Sequence, residues 1–269
     1  MRKLFSKFAL AAAFGLALTF TFSCSGGGDS TDNWPGGDGT SSPSSGGGDF
    51  TGTKGTFKDS RDSKSYKWVK IGEQYWLAEN LNYDVPSNDT DICYDNNPAN
   101  CLTYGRLYNW ATAMDLSSKC NSTFSTSDAD CAIKTPNHRG ICPTDWHIPS
   151  RADWDELRSY VDNDNGCSNC EGKYLKATSG WNENGESDKY GFTALPGGMG
   201  QDIHDGDHDG IDAGVYFNDI GKDGFWWSAS EIGSSGKSAE LWYFKESRLK
   251  SDDFNKRIGL SSIRCVKDN

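Results

Sequence analysis

Positive charge is in short supply in this chain: 27 Lys and Arg stand against 38 Asp and Glu, a net charge of −11. A polyanion of that kind is not held by nucleic-acid phosphates, and its own surface does not seek anionic lipid headgroups. Histidine is rarer still, with four copies, which leaves little material for His-based catalytic dyads. No segment repeats at a fixed period of some tens of residues, so solenoids and propellers are excluded. Beyond the first two dozen residues there is no long apolar run, so any hold on a membrane has to come from the N-terminus.

The N-terminus has such a hold. Arg2, Lys3 and Lys7 precede an apolar stretch from Phe8 to Phe22, and small Ser23 leads into Cys24. That run is short for a spanning helix and reads as a secretory signal over residues 1–23. Cleavage before Cys24 would allow lipidation of its thiol, which predicts an outer-membrane lipoprotein anchored at Cys24. Thr21 stands where an aliphatic residue is usual, and ordinary cleavage nearby is the plainer alternative. Loss of the signal removes three cations and no acid, which takes the net charge from −11 to −14. Residues 24–50 are Gly, Ser, Asp, Thr and Pro with almost nothing to bury, a flexible linker. Residues 51–269 are long enough for a sizeable core in one domain.

Eight cysteines follow Cys24, and an even count behind a secretion signal predicts disulfides. The simplest pairing joins near neighbours: Cys93 with Cys101, Cys120 with Cys131, and Cys167 with Cys170. That leaves Cys142 for Cys265 across a long loop, although spacing alone does not fix connectivity.

The most structured stretch is Cys142-Pro143 through Trp146-His147-Ile148-Pro149-Ser150. Pro149 disfavours helix before it, Ser150 is placed as N-cap, and Asp153 stands in the capping-box position. Trp154, Leu157 and Val161 then form one apolar stripe, predicting a helix to about Val161. A first helix is expected from Tyr104 to Leu116, where Leu107, Trp110, Ala111 and Met114 recur at helical spacing. Tyr66–Ile71 and Gln74–Leu77 alternate around Gly72-Glu73, a hairpin with a type II′ turn. The stretch from Tyr83 to Thr103 reads as a loop, 119–141 as a disulfide-bounded insertion, and 190–198 as a short strand ending in a Gly-Gly break. Gly224–Ser230, Ala239–Phe244 and Ile258–Val266 read as strands. Two helices, short strands and much loop predict an α+β domain.

Several blocks resemble one family. Phe57-Lys58-Asp59-Ser60-Arg61-Asp62, Trp76-Leu77-Ala78-Glu79-Asn80-Leu81, Tyr104-Gly105-Arg106-Leu107-Tyr108-Asn109-Trp110 and the Cys142–Ser150 corner come in order. Gly191-Phe192-Thr193-Ala194-Leu195-Pro196-Gly197-Gly198, Phe225-Trp226-Trp227-Ser228 and Ser262-Ile263-Arg264-Cys265-Val266 follow. Together they resemble the Fibrobacter succinogenes major paralogous domain over about residues 55–268. The resemblance implies a C-type-lectin-like fold with two helices, small antiparallel sheets and long loops. It also implies a secreted or lipid-anchored surface protein, and it brings no established activity and no catalytic residues.

Residues that carry chemistry are few. Asp205-Gly206-Asp207-His208-Asp209-Gly210 matches the opening of a calcium loop, which makes Asp205, Asp207 and Asp209 candidate ligands for Ca2+. Tyr216 stands where the bidentate glutamate of that motif belongs, and a solvated acidic loop accounts for the same residues. His204 and His208 sit in a segment too rich in Gly and Asp for a zinc-binding helix. Cys167 and Cys170 could be half a zinc site, with no second half spaced for it. His147, flanked by Trp146 and Ile148, reads as a hydrogen-bonded core histidine before it reads as a base. The sugar-binding triplets of calcium-dependent lectins, Glu-Pro-Asn or Gln-Pro-Asp, are missing. Trp181, Trp226, Trp227 and Trp242 remain as candidate stacking platforms.

The expectation is a non-catalytic, disulfide-stapled cell-surface binding or adhesion domain for a polysaccharide or a surface protein. Its recognition would fall to the loops at 119–141 and 198–224. A carbohydrate-active enzyme and a purely structural envelope protein are the alternatives.

Overall fold

The hairpin predicted around Gly72 is the seed of the main sheet. A computed structural model of the chain describes residues 53–86, 91–134, 136–183, 187–204 and 213–268, all within one unit, Pro43–Asn269. The signal, Cys24, the linker and the acidic loop with Asp205, Asp207 and Asp209 lie outside the described residues.

Strands β1 (Lys54–Lys58), β2 (Ser65–Ile71) and β3 (Gln74–Leu77) form an antiparallel meander. Gly72 takes φ +62° in the two-residue turn while Glu73 does not turn left-handed, as type II′ requires. The sheet continues through β13 (Val266–Lys267) to β6 (Trp146–His147), in the order β1-β2-β3-β13-β6. Period-two geometry sends Tyr66 and Trp68 of β2 to one side, against Phe57, Leu77 and Trp110. Val69 and Ile71 go to the other side, against Trp76, Trp154 and Phe192. The sheet is therefore buried on both faces, and the chain's aromatics fill both cores.

The corner behaves as its sequence dictates. α3 (Arg151–Asp164) starts from Ser150 with both capping-box hydrogen bonds in place. Its stripe of Trp154, Leu157 and Val161 is fully buried. Trp154 stacks on Trp242 with ring centroids 5.6 Å apart and planes 17° apart, and lies 4.9 Å from Trp76. The four predicted disulfides are all present: Cys93–Cys101, Cys120–Cys131, Cys142–Cys265 and Cys167–Cys170. The third ties the start of the corner to the end of the domain over a separation of 123 residues.

The described residues hold four α-helices rather than two. α1 (Pro98–Tyr104) occupies part of the expected 83–103 loop, with Asn97 accepting from the Ala99 N–H as cap and Pro98 in the first turn. The expected helix over 104–116 shortens to α2 (Trp110–Ala113). Gly105, at φ +77°, ends α1, and Leu107–Tyr108 becomes strand β5, paired with β4 (Asp91–Ile92). Asn109 then caps α2 through the Thr112 N–H at 2.9 Å. α4 (Glu171–Leu175) follows the Cys167–Cys170 turn.

Two three-stranded sheets complete the domain. One has the order β12-β7-β8, from β7 (Gly197–Ile203), β8 (Gly214–Ile220) and β12 (Gly259–Leu260). Here the Gly-Gly pair starts a strand instead of breaking one: a Cβ on Gly198, at φ +66°, would lie 2.4 Å from the Asn218 carbonyl across the hairpin. The other has the order β11-β10-β9, from β9 (Phe225–Ile232), β10 (Ser238–Lys245) and β11 (Arg248–Asn255). The single strand expected over 258–266 divides into β12 and β13, with Ile263 and Cys265 both buried between them. No helix of the described residues is long and apolar enough to cross a membrane.

Candidate functional site

Eight of the ten tryptophans are core residues, 0–1 % exposed. Trp226, Trp227 and Trp242 are among them, which removes all three from the candidate stacking platforms. Trp226 donates its indole N–H to Asn80 Oδ1 at 2.9 Å and Trp227 to the Tyr108 carbonyl at 2.8 Å. Trp242 lies under Trp154. They are buried because β9 and β10 pair in register at this point, with Trp242 opposite Trp226 and Leu241 opposite Trp227. Trp34 lies outside the described residues, which leaves Trp181.

Trp181 is half-buried in the loop after α4. Its indole N–H donates to the Ala194 carbonyl at 3.1 Å, its ring meets Phe244 edge-on at 6.2 Å, and Lys176 Nζ sits 4.1 Å from the ring centroid. The next residue, Asn182, is docked through its N–H on the Gly221 carbonyl at 2.6 Å. Gly221 is required there: at φ +78°, a Cβ would stand 2.7 Å from Asn182 Oδ1.

This fixed ring forms one wall of a cavity of about 630 Å³. Phe225 of β9 and Tyr243 of β10 also line it, half-buried, with ring centroids 5.8 Å apart. Asp223, Lys222, Lys245 and Glu246 supply the polar rim. Burial raises the Asp223 carboxyl above its ordinary range; Lys222, 3.5 Å away, pulls it down and Asp219 pushes it further up. Three aromatic rings with charged groups of both signs at the rim suit a ligand with apolar faces and many hydroxyls. Trp181 was legible from the sequence. Phe225, Tyr243 and Asp223 were not, since nothing in a strand pattern says which residue ends up at a sheet's mouth.

The other candidates fall elsewhere. His204 is half-exposed and 3.5 Å from Asp202. His147 is buried, its Nδ1 2.6 Å from Asp268 and its Nε2 3.6 Å from Asp153. Burial opposes charge on the imidazole, but the two carboxylates outweigh it and hold its pKa above the usual histidine value. Ser150 Oγ donates to Asp153 at 2.6 Å, not to the imidazole, so the group is a structural clasp and not a nucleophile with its base.

The family model of the Fibrobacter succinogenes major domain matches residues 69–267, from the middle of β2 to the end of β13. The chain belongs to that family. No curated protein and no solved structure matches it. The matched span contains every element of the aromatic cavity and both ends of the Cys142–Cys265 tie, so pocket and staple sit inside the Fibrobacter succinogenes major domain.

Proposed function

We propose that this protein is a non-catalytic cell-surface binding domain whose ligand is a polysaccharide, held in the cavity between Trp181, Phe225 and Tyr243. In this reading Cys24 carries a lipid, residues 24–50 hold the domain off the outer membrane, and the fold is C-type-lectin-like. A sheet joining β2 and β3 to the C-terminal β13, with the long disulfide beside it, supports that fold. The observation that carries the function is Trp181: it is the one tryptophan among the described residues that is not buried, and it lines a cavity of ligand size together with two further rings. A surface protein is the other ligand class, and Ca2+ at Asp205, Asp207 and Asp209 stays part of the proposal.

The test is a glycan array read with the mature chain, followed by affinity electrophoresis on the polysaccharides that score. Trp181→Ala and Tyr243→Ala are each expected to weaken retention at least about tenfold, a loss of ~1.4 kcal/mol, without loss of cooperative melting. Retention unchanged in both variants would remove the cavity from the binding reading.

One second reading is an enzyme acting on carbohydrate: Asp223 lines the cavity, and burial shifts its carboxyl in the direction that a general acid for a glycosidic oxygen needs. Release of new reducing ends that stops in Asp223→Asn would select it over simple binding.

A further inference from the structure

Of the four disulfides, Cys167–Cys170 stands apart. Both of its cysteines are partly exposed, whereas each of the other three has at least one buried half. It spans a separation of 3 residues, against 8, 11 and 123, so it ties no distant parts of the chain together. Opening it would leave both cores as they are. Access from solvent is also what an attacking thiolate needs.

A carboxylate waits at this bridge. Asp162, in the last turn of α3, accepts the Asn169 N–H on Oδ2 at 3.0 Å and the Cys170 N–H on Oδ1 at 3.3 Å. Its Oδ1 lies 3.5 Å from Cys170 Sγ. The side chain is thus fixed by the turn that carries the two sulfurs. Asn169, at φ +58°, bends that turn back onto the helix end. One ligand atom from each of Asp162, Cys167 and Cys170 lies within 4.8 Å of the others, and no other three His, Cys, Asp or Glu side chains among the described residues come together in this way.

We propose that Cys167–Cys170 is a reducible bridge, and that its reduced form, with Asp162, is a site for Zn2+. An external dithiol supplies the electrons. One of its thiolates attacks a sulfur of the bridge, forms a mixed disulfide and releases the other cysteine as a thiol. The dithiol's second sulfur then closes its own disulfide and frees the second cysteine. Two electrons and two protons pass to the protein. Zn2+ displaces both thiol protons, takes two thiolates and the Asp162 carboxylate, and keeps water in its fourth position, the open face toward solvent. The oxidised bridge offers no thiolate and holds no zinc. The sequence hinted at half of this site through the Cys-x-x-Cys spacing, and the missing ligand comes from the helix end.

The mature chain is titrated with a soluble phosphine under native conditions, alkylated at each step and mapped by mass spectrometry. Cys167 and Cys170 are expected to be labelled first and together. The selectively reduced chain, freed of reductant in the absence of air, is then given Co2+ and Zn2+. We expect one metal per chain, a thiolate-to-cobalt absorption band that Zn2+ abolishes, at least about tenfold weaker binding in Asp162→Asn, and none in Cys167→Ser/Cys170→Ser. Both variants are to melt as the oxidised wild type does, since no long-range tie is touched. Prior labelling of another pair, or metal bound equally by the double serine variant, would overturn the proposal. So would a reduced chain that takes up no metal.

Discussion

The fully buried guanidinium of Arg264 gives two hydrogen bonds, from Nε at 3.0 Å and Nη2 at 2.7 Å, to the one Oδ1 of Asn80. The same oxygen accepts the Trp226 indole N–H, and Arg264 Nη1 donates to the Phe192 carbonyl at 2.6 Å. A cation is therefore hydrogen-bonded in the core by neutral oxygens, and it lies 4.6 Å from the Phe192 ring centroid, where strand β3's continuation, the 192–193 loop and the C-terminal segment meet. Asn80→Ala would leave the charge without its main acceptor, and a hydrogen bond to a charged group is worth about 1.5–3 kcal/mol. With two lost to the guanidinium, the expected destabilisation is at least about 2 kcal/mol, measured as a shift in urea midpoint. A change under ~0.5 kcal/mol, the size of an ordinary surface substitution, would show that the remaining carbonyls suffice.

His147 predicts the direction of the pH dependence. Its pKa is raised in the fold: burial lowers it, and Asp153 and Asp268 more than compensate. A base with a raised folded pKa contributes stability that is complete below its unfolded value, near 6.5, and is lost as pH rises through the folded value. For Asp153 the balance runs the other way: burial raises its pKa, His147 and Ser150 lower it more, and its contribution is lost only as pH falls through the folded value. Thermal melts are thus expected to show higher stability near pH 6 than at pH 8, and His147→Gln to flatten that slope. A slope that survives in His147→Gln would assign it to other groups.

How much of this was legible in advance follows from the range of each interaction. The Ser150–Asp153 box, the Gly72 turn and the aromatic stripe of α3 are fixed by neighbours a few residues apart, and the sequence states them directly. α2 is shorter than its periodic pattern because Leu107 and Tyr108 are drawn into a strand by Asp91 and Ile92, a partner that local spacing does not reveal. β11 went unread because Arg248–Asn255 is mostly exposed and its alternation is weak; it is a strand through its full register with β10. The cavity failed in the same way. Burial of Trp226, Trp227 and Trp242 and half-exposure of Trp181 are decided by which strands pair, and four tryptophans look alike in one dimension.

The Cys142–Cys265 bond makes a prediction about rank. In the chain-entropy account, closing a loop of this separation stabilises by about 4–5 kcal/mol, against roughly 2–3 kcal/mol for the Cys93–Cys101 loop with its separation of 8. Cys142→Ala with Cys265→Ala is expected to lower the unfolding free energy by most of that amount, and Cys93→Ala with Cys101→Ala by clearly less. Chemical denaturation of both double variants under oxidising conditions checks this. Equal losses would mean that native-state strain or residual unfolded structure sets the effect, not loop length.

The pair of Lys256 and Glu231 is the most enclosed contact between opposite charges among the described residues, with side chains 0 % and 4 % exposed and Nζ 2.6 Å from Oε1. Lys256 also lies 4.2 Å from the Trp110 ring centroid and donates to the Thr123 carbonyl at 3.1 Å. Burial lowers its pKa and Glu231 draws it back up only in part. Removing one partner from such a pair leaves a charge in the core, at a cost of about 3–5 kcal/mol. Removing both in favour of apolar residues of similar size is often close to neutral. Lys256→Met alone is therefore expected to be severely destabilising, and Lys256→Met with Glu231→Leu to recover a large share of the loss, less what Ser125 and Thr123 forfeit as partners. Urea denaturation of the two single variants and the double variant closes the cycle. Additive losses, with no recovery in the double variant, would mean that Lys256 acts through its packing on Trp110 and not through its charge.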